Sequence, residues 1–221
     1  MEFSQTMAAR YSCRSFLEKP VDEATIKSLV ETAQHSPSWG NTQPWRVWGA
    51  GGQVARSIRE RLVEQASAGQ PSNPEFPMPQ DFSAVMKKRY GELGKSLFAL
   101  LGIGRGDDAK RAEHNLRNFD AFGAPALIFV TVPADQTSYA VLDAGMFVHA
   151  FCLAAVDRGL VTCIEAQLAR YPDTVRQHLP IPADGKILVG IALGYADTSA
   201  VINSFRTTRE PLEAILNLTG F

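Results

Sequence analysis

Ser36-Pro37-Ser38-Trp39-Gly40-Asn41-Thr42-Gln43-Pro44-Trp45-Arg46-Val47-Trp48 is the stretch on which the reading of this chain depends. Pro37, Gly40 and Pro44 exclude a continuous helix or central strand there, because proline lacks a backbone donor and glycine is conformationally loose. The stretch is therefore a loop between a helix and a run that reads as a buried strand. Loops display polar groups from a rigid support, and this one carries a tryptophan, an asparagine, a glutamine and hydroxyl residues. A plain surface connection would satisfy the same composition.

On its N-terminal side, Asp22 is a plausible N-cap, and Ile26, Leu29, Val30 and Ala33 recur at helical spacing. On its C-terminal side, Trp45 to Ala50 predicts a strand, followed by a helix over 53–66 with Val54, Ile58, Leu62 and Val63 as its inner stripe. Four prolines between Ser67 and Asp81 forbid regular structure, and so long a connection suggests a lid. The helix expected over 83–101 has Val85, Met86, Tyr90, Leu93, Leu97 and Leu100 as its apolar stripe. Gly102 to Asp107 looks like a dinucleotide loop but follows a helix and lacks the third glycine. A charged helix is expected over 108–118.

Ala126 to Val132 and Lys186 to Leu193 are apolar runs typical of strands covered on both faces, and Val161 begins a shorter strand. The helix over 138–158 is apolar nearly all round, so it should be buried, with His149 as a satisfied core histidine. A small helix over 171–179 has Pro172 at its favoured first position, and the tail is expected to finish in a modest helix. Near the N-terminus Arg10 and Arg14 are four residues apart. If that segment is helical, both guanidinium groups share a face and can fork toward one dianion; a solvated basic face fits the spacing equally well.

The length of 221 residues, with 45% apolar and 20% charged, fits one domain over 1–221, with a lid or excursion at about 67–120. A net charge of -1 supplies no global positive field, which argues against nucleic acid and anionic membranes as partners. The N-terminus lacks signal-peptide features, and Val141 to Val156 is interrupted by Asp143 and His149 and is too short to span a bilayer. A cytoplasmic protein is expected. Cys13, Cys152 and Cys163 suit reduced structural thiols, and the histidines show no metal-ligand spacing.

Several separated pieces together resemble the nitroreductase family of FMN-dependent flavoenzymes. They are Arg10-Tyr11-Ser12-Cys13-Arg14 with Phe16 and Pro20-Val21, then Ser36-Pro37-Ser38 with Asn41 and Gln43-Pro44-Trp45. Gly159-Leu160 with Thr162-Cys163 follows, then Gly190 to Asp197 and Arg206-Thr207-Thr208-Arg209-Glu210-Pro211-Leu212. The stretch Leu97 to Asp107 and the closing Gly220-Phe221 further resemble the subgroup of nitrobenzoate and dinitroaniline reductases.

The resemblance implies an α+β three-layer sandwich, a mostly antiparallel central sheet flanked by helices, assembled as an intertwined homodimer. It implies that Arg10, Ser12, Arg14 and Arg209, with Tyr11 and Arg206 beside them, hold the FMN phosphate. Pro37, Ser38 and Trp39 would come from the partner subunit against the ring system, while Asn41 and Gln43 either touch the ring edge or hold the loop. Glu165 and Ala166 would present backbone N–H groups to the ring, with Ile164 beside them in the cofactor site, an isoleucine standing where the family commonly has proline. NADH or NADPH would deliver hydride to flavin N5, and a small aromatic acceptor would then take it, with no catalytic side chain required. Trp39, Phe76, Phe82, Phe119 and Phe122 are candidates for the acceptor pocket. Quinone or enone reduction, and flavin binding without turnover, are the alternative readings.

Overall fold

The computed structural model describes residues 1–135 and 137–221. Among them are seven α-helices: α1 (Phe3–Ala9), α2 (Glu23–Ala33), α3 (Gly52–Ser67), α4 (Ala84–Leu100), α5 (Asp108–Leu116), α6 (Ser138–Asp157) and α7 (Pro172–His178). Four strands, β1 (Arg46–Gly51), β2 (Ala126–Pro133), β3 (Val161–Glu165) and β4 (Gly185–Gly194), form one sheet in the order β1-β2-β4-β3. Every pairing in it is antiparallel.

Period-two alternation divides the core between the two faces of this sheet. Leu127 and Phe129 of β2 point to one side, where Ala55, Ile58 and Leu62 of α3 and Val175 of α7 cover them. Ile128 and Val130 point to the other, against Leu29 and Ala33 of α2 and Ala144, Phe147 and Phe151 of α6. The three expected layers are thus present. Each fully buried side chain of this size contributes about 1.5–3 kcal/mol of transfer free energy.

Asp22 caps α2 by accepting from Thr25 N–H at 2.7 Å. In α3 the inward face is Ala55, Ile58, Leu62 and Gln65, whereas Val54, expected inside, is 42% exposed. Two further corrections concern the helices. No residue of α4 is fully buried in the single chain: of its expected stripe, Val85, Met86 and Tyr90 are exposed, whereas Leu93, Leu97 and Leu100 are half-buried. His149 on α6 is exposed rather than in the core. The tail ends in a short 3-10 turn, Leu212–Ala214, and not in an α-helix.

α6 runs 20 residues, filling nearly all of the 138–158 span expected for it, and, contrary to the expectation from its interrupted apolar stretch, is long and apolar enough to cross a membrane by length and composition alone. Here its inward face is core, and Asp143, buried on it, accepts the Trp39 N–H at 3.0 Å. The connection after α3 has no regular structure but is tied down at several points. Tyr171 Oη donates to Gln70 O, Asn73 N–H to Arg170 O, and Glu75 pairs with Arg176 at 3.0 Å while accepting the Ile187 N–H at 2.7 Å. Phe76 packs against the α2/α6 side of the core, so this half of the segment is a strap.

β4 passes directly beneath the 3-10 turn Ala166–Ala169 that leaves β3, and glycine is required there for contact. A Cβ on Gly190 would come within 2.5 Å of Leu168 Cβ, and Leu168 is fully buried. Gly190→Ala is expected to cost about 1–3 kcal/mol by overpacking, read as a lower midpoint in urea unfolding at unchanged slope.

Candidate functional site

α1 stops at Ala9, because Arg10 turns to φ -66, ψ 124 and the chain becomes extended. The condition under which Arg10 and Arg14 would share a helix face is therefore not met. Residues 10–17 instead lie along the sheet: Ser12 bridges Thr162 in parallel and Phe16 bridges Ala196 antiparallel, with Cys13 N–H on Thr162 O at 3.0 Å. Residues four apart share a face in a strand as well as in a helix, and the strand adds the residue midway between them. Arg10, Ser12 and Arg14 accordingly line one cavity, while Cys13 is fully buried.

That cavity, of about 730 Å³, also receives Arg206 and Arg209 from the other end of the chain, with Tyr11, Phe205 and Thr207. Arg206 lies 3.8 Å over the Tyr11 ring and donates to Asn203 O and Phe205 O. Arg209 donates to Thr207 Oγ1 at 2.7 Å and to Thr208 O at 2.9 Å. Arg14 donates to Ser12 O at 3.3 Å. Among the described residues none of these four guanidinium groups has a carboxylate within ion-pair distance. Four positive charges around one cavity, three of them oriented by neutral carbonyls and a hydroxyl, create a strong demand for an anion.

One residue that joins the two chain ends was not singled out in the sequence. Asn203, 6% exposed, donates to Ser15 O at 2.7 Å and Asp197 O at 2.8 Å. Its Oδ1 accepts from Arg14 N–H at 2.8 Å and from Cys13 Sγ at 3.4 Å. Nothing in Val201-Ile202-Asn203-Ser204 marks this role, since it depends on partners far away in the chain. Asn203→Ala leaves several buried groups unpaired and is expected to cost about 2–4 kcal/mol, measurable as a fall in the thermal midpoint.

The loop that opened the sequence reading lies against α6 and contributes nothing to this cavity. Gly40, Asn41 and Gln43 all have positive φ, at 55°, 57° and 45°. Gln43 Nε2 donates to Asn41 Oδ1 and O, and Gln43 N–H donates to Ser38 Oγ. Within the single chain Asn41 and Gln43 therefore hold the loop. Trp39 stands 69% exposed at its tip, a large apolar surface left without cover.

At the end of β3, Ile164 and Ala166 are exposed, while Glu165 between them is 3% exposed. Glu165 Oε1 is buried without a hydrogen-bond partner. Burial pushes its carboxyl up to about 8, against opposing pulls from the Cys163 thiol and the Arg14 guanidinium. The same burial raises the Cys163 thiol well above its ordinary range.

The aromatic candidates separate. Phe119 and Phe122 are core residues, 7% and 2% exposed, and Phe122 also edges a cavity shared with Phe16 and Arg117. Phe119 sits against the Tyr171 ring at 6.0 Å, and Phe82 is half-buried and stacks on Tyr90 at 5.8 Å.

An antiparallel sheet between helical layers, with a polyguanidinium cavity closed by both chain ends, defines an α+β protein built to grip a compact polyanionic ligand. The family model described as Nitroreductase family matches residues 7–195, and the chain belongs to that family. It is 31% identical over 220 residues to the 4-nitrobenzoate reductase of Pseudomonas putida, covering 100% of this chain and 96% of that one. It is also 33% identical over 204 residues to nitroreductase NfnB of Mycolicibacterium smegmatis, covering 92% and 86%. The crystal structure of the FMN-dependent nitroreductase NfnB from Mycobacterium smegmatis in complex with NADPH superposes with a TM-score of 0.92. That likeness has 30% identity and covers 98% of this chain and 97% of that one.

Proposed function

We propose that this chain is an FMN-dependent NAD(P)H oxidoreductase that reduces nitroaromatic compounds, acting as a cytoplasmic homodimer. The observation that carries the reading is the convergence of Arg10, Arg14, Arg206 and Arg209 on one cavity with, among the described residues, no carboxylate within ion-pair distance to neutralise them. The cavity's donor set fits the phosphate of FMN: planar guanidinium forks, supplemented by the Ser12 hydroxyl, match a phosphate dianion. When bound, FMN supplies the two-electron chemistry of accepting and donating hydride. The chain supplies the rest. Arg10, Ser12, Arg206 and Arg209 hold the phosphate tail; Arg14, facing both this cavity and the Glu165 carboxyl, keeps positive charge beside the ring. Backbone N–H groups at Glu165 and Ala166 serve the ring edge, with Ile164 beside them.

Pro37, Ser38 and Trp39 are absent from the cavity of their own chain, so their role requires the second copy. The uncovered apolar residues support such an interface: Phe3 and Met7 of α1, Tyr139 and Leu142 of α6, and Leu212, Ile215 and Leu218 of the tail are all exposed. α4 and the segment before it belong to the same uncovered surface and would cover the acceptor between subunits. Light scattering after gel filtration should give twice the chain mass, and a monomer with bound FMN would remove the loop from the site.

Purified protein should be yellow and should bleach anaerobically with NADPH or NADH, then regain colour when 4-nitrobenzoate is added. A folded, colourless protein that takes up no FMN overturns the proposal. FMN that binds but cannot be bleached points to a flavin-binding module without turnover. Faster recovery with a quinone or enone than with any nitroaromatic changes the acceptor and leaves the cofactor assignment standing.

A further inference from the structure

The cavity that gathers the four guanidinium groups shares a wall with a second one, of about 500 Å³, that opens between α4 and the tail. Phe205, Arg206, Thr207 and Arg209 line both. The first cavity has no acidic residue in its wall, whereas Glu92 and Glu210 stand in the second. Each of these carboxylates meets a cation of α4: Glu92 lies 4.0 Å from Lys88 on its own helix, and Glu210 accepts from Arg89 Nε at 2.7 Å. Among the described residues, the contact of Arg89 with Glu210 is the one ion pair that ties α4 to another part of the chain.

Both side chains of this pair are exposed, so the pair contributes little to stability. Its position is the informative feature. Glu210 follows Arg209 directly, and successive Cα atoms are about 3.8 Å apart. On so short a tether a carboxylate that nothing holds is a ready counter-ion for Arg209 and Arg206, which line the same cavity. Held by Arg89, it is turned to α4, and neither guanidinium group has a carboxylate within ion-pair distance. We infer that Arg89 is a positioning residue for the cofactor phosphate: by keeping the Glu210 carboxylate on α4, it leaves Arg206 and Arg209 free for the anion. This rests on the FMN reading above. The two partners of one ion pair then have opposite effects on the cofactor, which a merely structural pair would not have.

Titration of FMN into apoprotein, followed by flavin fluorescence, tests this on four variants whose fold is checked by circular dichroism. Arg89→Ala should raise the FMN dissociation constant about five- to tenfold, as the released carboxylate competes with the phosphate. Arg89→Lys keeps a cation opposite Glu210 and should recover most of that loss. Glu210→Gln removes the competing charge and should bind FMN no more weakly than wild type. The double variant Arg89→Ala with Glu210→Gln should match Glu210→Gln and not Arg89→Ala. Riboflavin, which lacks the phosphate, should bind all of them alike. Equal losses in Arg89→Ala and Glu210→Gln would make the pair a brace for α4 and overturn the inference, as would an unchanged FMN affinity in Arg89→Ala or an equal loss of riboflavin. A folded wild type that takes up no FMN defeats the flavin reading instead. Calorimetry with inorganic phosphate then ranks the same variants without flavin: the same order upholds the role of Arg89, and equal phosphate affinities overturn it.

Discussion

Replacing Arg10 and Arg209 together by alanine should weaken FMN binding by about three orders of magnitude while leaving the fold intact. The two side chains enter the same cavity from opposite ends of the chain. Arg209 is oriented only by Thr207 and Thr208 beside it, so its loss removes no long-range contact. A hydrogen bond to a charged group is worth about 1.5–3 kcal/mol. Two such contacts therefore supply roughly 4 kcal/mol, or about a thousandfold at 1.4 kcal/mol per decade. Quenching of flavin fluorescence on titrating FMN into apoprotein measures the effect, and circular dichroism checks the fold. Each single variant should lose one to two decades, and the wild-type affinity should fall with added salt, since the charges are partly open to solvent. An unchanged dissociation constant would mean that the phosphate lies elsewhere. Arg206 is a less clean probe, because its guanidinium also packs on Tyr11 at 3.8 Å.

Glu165→Gln should remove most of the pH dependence of stability between pH 5 and 8. In the folded chain burial lifts this carboxyl to about 8, whereas in the unfolded chain it returns to about 4.3. Between those values the folded state holds a proton that the unfolded state has released. Stability therefore falls as pH rises through the window, by up to about 1.4 kcal/mol per unit. The total is on the order of 5 kcal/mol, complete once the pH exceeds the folded value. Glutamine cannot ionise and keeps the shape, so the variant should be the more stable protein at pH 8 and nearly equal to wild type at pH 5. Urea midpoints at fixed FMN concentration across this range test it; parallel wild-type and variant profiles would show that the carboxyl ionises normally in the fold. The neutral acid has a functional consequence as well. If the flavin ring lies at this turn as proposed, a carboxylate there would oppose the negative charge that accumulates on reduction, and a proton on Glu165 would remove that opposition.

Local pattern made most of the architecture legible. Proline and glycine placement marked the loop at 36–45, Asp22 marked the start of α2, and the unbroken apolar runs at 126–132 and 186–193 marked the two central strands. Periodicity was misleading where a surface is only partly covered by its own chain: in the apolar stripe of α4, Val85, Met86 and Tyr90 are exposed while Leu93, Leu97 and Leu100 are half-buried. It was misleading also at 10–14, where residues four apart satisfy a helix and a strand alike. Phe119 and Phe122 showed the opposite difficulty, since an aromatic residue at a helix exit looks the same in sequence whether it faces a ligand or the core.

By itself, the sequence determined the order and type of the elements, the separation of core-facing from solvent-facing residues in most of them, and the set of arginines available to an anion. These are short-range properties, governed by backbone sterics and by the periods at which side chains share a face. Only the tertiary structure decided that Asn203 ties the two chain ends together, that Glu165 is sealed from water with an unpaired oxygen, and that Arg89 of α4 meets Glu210 beside the arginine cavity. Those facts depend on distances between residues far apart in the chain and on the water excluded when they meet, and neither quantity exists until the layers have packed.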